Sequence, residues 1–403
     1  MRTMTRFYVD AFLQNVKNVA FFMYLPVLIA KLGATPFEIS LSNSLPALCC
    51  AFSLAFITRQ LPLTRRVYYT SGVLRQLAFL GMAFSPLLPH PVVWLLGFWV
   101  FNAMFVMITS VQQPALVKNV IDEEAVPKLF SRTKVIAIVV TVVGSYVIGR
   151  FLDVHQAIFP YNYVICMVTG AIATFTGMNI IAGLAPRERR PVRFRWVLPL
   201  RRPSRLLFAM WLASGSIAVF GPLWTIYHVN VLHLSNLQIG WFGVMSGLIS
   251  TLAMPWMQKG LQRVGPRTVI VAACAVMAVV PLFYTLRREY AYILALQILL
   301  GVAFSFYDVA QQTLAVTEAK HQPDDLAFLS DYQLVQNLGN GLAPLLTAVV
   351  LAHTDARHAF IWLSCVRLAT ALLVGSLLFT RAPRWLWRLW PRHSSSASVS
   401  GKV

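Results

Sequence analysis

The chain has 403 residues, of which 58% are apolar and 12% charged, and its mean hydropathy is +0.65. An average soluble chain is about 45–50% apolar and about 25% charged, and a single soluble core stops growing near about 250–300 residues, so this composition excludes a soluble enzyme, a disordered chain and a disulfide scaffold. Lys and Arg number 34 against 14 Asp and Glu, a net charge of +20, but the basic residues lie between apolar runs and therefore read as topology signals rather than as a nucleic-acid surface.

A membrane-spanning helix needs about 20 mostly apolar residues. Twelve stretches qualify, near 10–32, 38–58, 67–88, 91–113, 132–152, 161–184, 205–228, 237–257, 268–286, 290–314, 328–352 and 357–380. Runs of this length predict helices, because barrel strands need only about 9–11 alternating residues. The first run is too long for the core of a signal peptide and lacks a small-residue cleavage site, so it is expected to remain as a span. Pro26, Pro46, Pro114, Pro222 and Pro344 interrupt spans, which membrane helices tolerate where neighbours re-satisfy the freed backbone groups.

Polar side chains inside these spans are costly and so mark candidate sites. In span 1, Asp10, Gln14 and Lys17 stand at i, i+4 and i+7 on one face, with Asn18 beside them. Span 3 carries Arg75 and span 12 Arg367, both expected to brace helices within one half. Span 4 carries Asn102, Gln112 and Gln113, and the far end of span 7 carries Trp224, Tyr227, His228 and Asn230. Span 10 contains Tyr307, Asp308, Gln311 and Gln312, and span 11 places Gln333, Asn337 and Asn340 on one face. Interhelical hydrogen bonds are the plain alternative for the amides. Asp308 is the best candidate for proton uptake and release, and Lys17 for binding an anionic group or pairing with an acid such as Asp308. The cysteines Cys49, Cys50, Cys166, Cys274 and Cys365 all lie in apolar runs and are expected to be buried structural thiols. His228 and His233 are separated by a loop signal, so no metal site is expected.

Between the spans, 26 Lys and Arg fall on one side and 5 on the other, which predicts that both termini and the central loop are cytoplasmic. The central loop, 185–204, is rich in arginine and divides the chain into six-span halves, 1–184 and 205–380. The tail 381–403 begins with Trp385, Trp387 and Trp390 among arginines, a headgroup-zone pattern, and ends in a Ser-rich segment expected to be disordered.

The halves repeat. Thr35-Pro-Phe-Glu-Ile39 aligns with Ser235-Asn-Leu-Gln-Ile239 at an offset of 200, and Val111-Gln-Gln113 aligns with Ala310-Gln-Gln312. Six spans per repeat start both halves on the same side, giving a parallel repeat with an axis along the membrane normal and a site near the midplane.

These features resemble the major facilitator superfamily over residues 5–380. Tyr24-Leu-Pro26 followed by Leu32-Gly33-Ala-Thr35-Pro-Phe-Glu-Ile39 is similar to the family's first hairpin. Gln113-Pro114-Ala115-Leu116, Asp122-Glu123-Glu124 and Phe130-Ser131-Arg132 are similar to its loop between helices 4 and 5, and Arg263-Val-Gly265-Pro-Arg267 to the end of its basic loop motif. That motif's aspartate is Gln262 here, and Arg59, Arg65 and Arg66 stand in the first half without an acid or glycine. The resemblance implies an all-α fold of twelve transmembrane helices in two pseudo-symmetric six-helix bundles, with helices 1, 4, 7 and 10 lining a central cavity. The polar residues Gln14, Lys17, Asn18, Asn102, Gln113, Tyr227, Tyr307, Asp308, Gln311 and Asn337 are the expected substrate or proton pathway, and the resemblance places Arg65, Arg66, Arg263 and Arg267 in gating loops.

The expected function is secondary active transport of a small molecule by alternating access, as proton-coupled export of a lipophilic or amphiphilic solute. The alternatives are uptake of a sugar or organic anion, and a non-transporting membrane assembly or lipid-handling factor. No nucleotide-binding loop, hydrolase elbow, zinc motif or kinase set is present, so no enzyme activity and no cofactor are expected. The expected partners are the substrate, protons and the lipid bilayer, not nucleic acid, for a monomer in a bacterial-type inner membrane.

Overall fold

A computed structural model describes residues 3–57, 61, 64–121, 126–184, 204–319, 321–322 and 325–379. The basic linker up to residue 203 and the tail from residue 380 lie outside the described residues. Thirteen α-helices follow in order: α1 Thr3–Lys17, α2 Leu25–Lys31, α3 Pro36–Phe52, α4 Arg65–Phe84, α5 Pro91–Val120, α6 Val126–Val154, α7 Tyr161–Ala182, α8 Arg205–Ala218, α9 Gly221–Ile226, α10 Asn236–Phe283, α11 Tyr290–Ala319, α12 Asp325–His353 and α13 Ala356–Phe379.

Among the described residues, eleven segments are long and apolar enough to cross a membrane. The expected span near 67–88 is the exception: α4 has the length, 20 residues, but Arg65, Arg66, Arg75 and Gln76 lower its hydropathy. It nevertheless packs against α5 and α7 as a full member of the first bundle. The fold is an all-α polytopic membrane architecture, with large apolar side chains such as Leu372 (71% exposed) and Trp362 (61% exposed) on its outer wall, where lipid rather than water solvates them.

Two prolines shape the first span of each half. Proline has no N–H and clashes with the preceding turn, so the helix must break before Pro26 and Pro222. Span 1 runs α1, a π-helical turn Asn18–Phe22, then α2. Span 7 runs α8, α9 and a π-helical turn Tyr227–Val231. α10 contains two legs, because Gly265 sits at φ +78° and turns the chain between them.

The internal repeat is visible at the second helix of each half. Thr35 caps α3 by accepting from Glu38 N at 3.2 Å, while Glu38 Oε2 accepts from Thr35 N at 2.7 Å. Ser235 caps α10 in the same way: it accepts from Gln238 N at 3.2 Å, and Gln238 Oε1 accepts from Ser235 N at 2.9 Å. Two reciprocal boxes at the aligned positions satisfy equivalent orphan donors. Thr35→Ala and Ser235→Ala are each expected to lower stability by about 1 kcal/mol, read as a lower midpoint in thermal unfolding of the purified protein.

Each half has its own core. In the first, Phe21, Leu28 and Ile29 pack with Phe79, Met82 and Met167. In the second, Met210, Phe220 and Leu223 pack with Ile270, Met277 and Phe360. The halves meet where α3 packs on α12 and α6 on α10. One expectation about the thiols is corrected: Cys166 and Cys274 are buried and Cys49 and Cys50 partly so, but Cys365 is exposed on α13. It lies on the outward face of that helix, where apolar character in the sequence reflects lipid rather than core.

Candidate functional site

The one-face spacing of Asp10, Gln14 and Lys17 on α1 becomes a hydrogen-bonded ladder. Gln14 donates to Asp10 Oδ1 at 3.2 Å and accepts from Lys17 Nζ at 3.3 Å. The ladder lines a cavity of about 480 Å³ enclosed by first-half helices, with Pro46 and Cys50 of α3, Tyr68, Arg75 and Phe79 of α4, and Trp99, Asn102 and Thr109 of α5. Arg75 donates to Thr109 Oγ1 at 3.1 Å, and Asn102 donates to the Arg75 carbonyl at 3.4 Å. Arg75 therefore does brace α4 on α5, as its sequence position suggests, and also contributes a cation to the cavity. Its place in span 3 alone does not mark it as part of the site. The overlooked signal is the spacing of Tyr68, Arg75 and Phe79 at i, i+7 and i+11, which places them along one face of α4.

A second cavity, of about 400 Å³, lies in the other half and is lined by Ser214, Ser246, Tyr307, Asp308, Gln311 and Gln336, among others. Gln311 donates to Asp308 Oδ1 at 3.0 Å and also meets Gln336. Asp308 is exposed to this cavity rather than sealed in the core. A third cavity, of about 320 Å³, sits at the seam, with Asn43 of α3 facing Trp224, Asn340 and Pro344 of the second half. Lys17 and Asp308 line different cavities, and no ion pair joins them among the described residues.

The other expected residues are dispersed. Asn18 is exposed on the π-helical turn, rotated off the face that ends at Lys17. Tyr227 is buried in an aromatic cluster with Trp224, Tyr284 and Phe360, and donates to the Tyr284 carbonyl at 3.2 Å. Asn337 bonds back to its own helix at Gln333 O, 2.9 Å. The side chain of Gln113 lies outside the described residues. Arg65 and Arg66 are exposed in the first turn of α4, and Arg263 is exposed near Gly265. Arg267 pairs with Glu318 at 2.6 Å and reaches the Leu378 carbonyl at 3.4 Å, tying α10 to α11 and α13 within one half.

A feature absent from the sequence analysis joins the two halves. Asp153, in the last turn of α6, accepts from the backbone N–H groups of Asn236 at 2.9 Å and Leu237 at 3.0 Å, and from Asn236 Nδ2 at 2.8 Å. With Ser235 accepting from Gln238, the first three N–H groups of α10 are all satisfied, and a carboxylate stands at the positive end of the helix. Tyr163 completes this clasp by donating to Asn236 Oδ1 at 2.6 Å. Next to it, Tyr24 donates to the Ser145 carbonyl at 2.8 Å. Its hydroxyl fits there only because Gly149 and Gly240 are bare: a Cβ would come within 2.9 and 2.6 Å of it.

Comparison with known proteins agrees with this architecture. The profile of the Major Facilitator Superfamily matches residues 206–401. The multidrug resistance protein MdtG of Erwinia billingiae is 29% identical over 175 residues, covering 43% of this chain and 42% of the relative. MdtG of Escherichia fergusonii is 30% identical over 231 residues, covering 54% and 55%. The chain thus spans about half the length of these relatives. Among solved structures, the nucleoside transporter NupG superposes with a TM-score of 0.67 at 13% identity, over 94% of this chain and 100% of the other. A bacterial homologue of the iron transporter ferroportin, inward-facing, gives 0.66 at 14% identity over 93% and 97%. The structural likenesses carry the fold and span both halves. The profile and the related sequences make the chain similar to members of the major facilitator superfamily.

Proposed function

We propose that the protein is a secondary transporter that moves an amphiphilic small molecule across the membrane by alternating access, as proton-coupled export. The observation that carries this reading is the first cavity: one acidic and two basic side chains, Asp10, Lys17 and Arg75, held inside an apolar bundle. Such groups are costly within a membrane and persist where they serve a pathway. The seam supports the rocking step, because the halves meet mainly where α3 packs on α12 and α6 on α10, with the polar clasp of Asp153 at the start of α10. The relatives named for multidrug resistance support export as the direction and a lipophilic or amphiphilic cargo.

In this reading Gln14, Lys17 and Asn102 contact the solute, while Tyr307, Asp308 and Gln311 form the proton branch. Among the described residues Asp308 is the one carboxylate lining the second cavity. The protein acts as a monomer in a bacterial-type inner membrane, with both termini in the cytoplasm.

Proteoliposomes test the proposal. With the vesicle interior acidified, at least one dye of a panel of anionic, neutral and cationic amphiphiles is expected to accumulate as protons leave, and a protonophore should stop it. Asp308→Asn should remove the dependence on the gradient while leaving passive exchange. No flux of any dye, with or without a gradient, sinks transport and favours the non-transporting reading. Gradient dependence that survives Asp308→Asn removes Asp308 from the proton branch.

A further inference from the structure

We propose that the first-half cavity is an anion site, which takes a solute with one anionic group between Lys17 and Arg75 and an apolar, aromatic-sized body against Phe22, Phe79 and Trp99. This names the substrate class for the transport reading and rests on it.

Two cations and one carboxylate line the cavity, and among the described residues neither cation has a carboxylate within 4.0 Å. The Asp10 carboxylate is engaged by Gln14 at 3.2 Å, and the Lys17 ammonium bonds to the other end of the same amide at 3.3 Å. Gln14 thereby stands between the acid and the cation. The other neighbours of Lys17 are ring faces, Phe22 at 5.3 Å and Phe79 at 5.8 Å to the centroid. Arg75, only 9% exposed, lies 6.0 Å from the same Phe79 centroid. It uses one N–H on Thr109, and its Nε is buried without a partner.

A buried cation lacking its counter-ion is strongly destabilising, and a buried donor left unpaired adds to that. Two cations flanking one ring also repel each other. A single anion beside that ring relieves all three conditions. It supplies the missing charge, it accepts from the guanidinium, whose planar fork matches carboxylate, sulfonate or phosphate, and it separates the two cations. The remaining wall is aromatic, suited to stacking a flat apolar body. The volume, about 480 Å³, lies within the usual range of about 300–1,000 Å³ for small-molecule sites.

The test is calorimetric binding to the purified full chain in detergent, with 1-naphthoate, the neutral 1-naphthamide and the cationic 1-naphthylmethylamine as probes. Naphthoate is expected to bind at least about tenfold more tightly than either analogue, and Lys17→Gln to weaken it by about tenfold or more. Lys17→Arg should restore it. Because removing a buried arginine can unfold the bundle, Arg75→Lys is measured beside Arg75→Gln and should also weaken naphthoate selectively. Equal or tighter binding of the amide or the amine, absence of binding by naphthoate, or naphthoate affinity unchanged by Lys17→Gln overturns the inference. A failed transport reading looks different: naphthoate binding stays intact and sensitive to Lys17, yet no solute crosses the proteoliposome membrane.

Discussion

Asp153→Ala is expected to weaken the seam between the halves by about 2 kcal/mol, roughly a thirty-fold shift toward conformations parted at that end. The carboxylate accepts two backbone N–H groups at the start of α10 and one side-chain amide from Asn236. Hydrogen bonds to a charged acceptor are worth about 1.5–3 kcal/mol each when a partner is left unpaired, and water reaching a parted seam recovers part of that. Asp153 and Asn236 belong to different halves, so the loss falls on their association and not on either core. Spin labels at Gln156→Cys and Glu289→Cys, both exposed and one in each half, would report the separation on a background with the native cysteines replaced. A longer distance population in Asp153→Ala is the expected result, with Tyr163→Phe showing a smaller change in the same direction. Identical distance distributions in wild type and Asp153→Ala would remove the clasp from the conformational equilibrium.

The second large effect concerns packing inside the second half. A Cβ at Gly339 would collide with the Trp211 carbonyl and the Ser214 hydroxyl, and would stand 3.0 Å from Gly215 N. Two of these are backbone atoms of α8, which cannot swing aside, so α8 and α12 must separate. Gly339→Val is therefore expected to cost about 3 kcal/mol, the upper end for an overpacked interior. Gly215 faces the same contact from α8, but its added Cβ would meet Gly339 O and the Ala343 methyl at 3.4 Å, close to ordinary contact. Gly215→Ala should consequently be nearly neutral, the small strain being offset by alanine's better helix propensity. Thermal unfolding in detergent separates the two cases. If Gly339→Ala and Gly215→Ala melt alike, the close approach of α8 and α12 at Gly339 is not the limiting contact.

The fold class was legible because hydropathy over about 20 residues is a local quantity, and the repeat because caps are written in four consecutive residues. Thr35 to Glu38 and Ser235 to Gln238 each close a capping box, so the alignment of two short strings already located two equivalent helix starts. The span holding Arg75 shows where local counting strains. Two of the polar residues that lower the hydropathy of α4 face neighbouring helices: Arg75 reaches Thr109 on α5, and Gln76 reaches the Ala171 carbonyl on α7.

The candidate site was legible only in part. Asp10, Gln14 and Lys17 could be placed together because one helix sets their spacing, and Tyr307, Asp308 and Gln311 likewise share α11. Asn18, Tyr227 and Asn337 looked equivalent to them as letters, yet a π-helical turn, an aromatic cluster and a bond back to Gln333 take them elsewhere. Helix rotation about its own axis decides such outcomes, and it is fixed by contacts between helices rather than by the residues of one.

What the sequence by itself determined is the approximate place of the apolar helices, the two equivalent helix starts at Thr35 and Ser235 and the one-face ladder on α1, all properties of neighbours along the chain. What only the tertiary structure decided is that Arg75 joins Lys17 around Phe79, that Lys17 and Asp308 occupy separate cavities, and that Asp153 fastens the start of α10. These depend on groups at least 58 positions apart in the sequence, whose meeting or separation follows from how helices cross and rotate against one another.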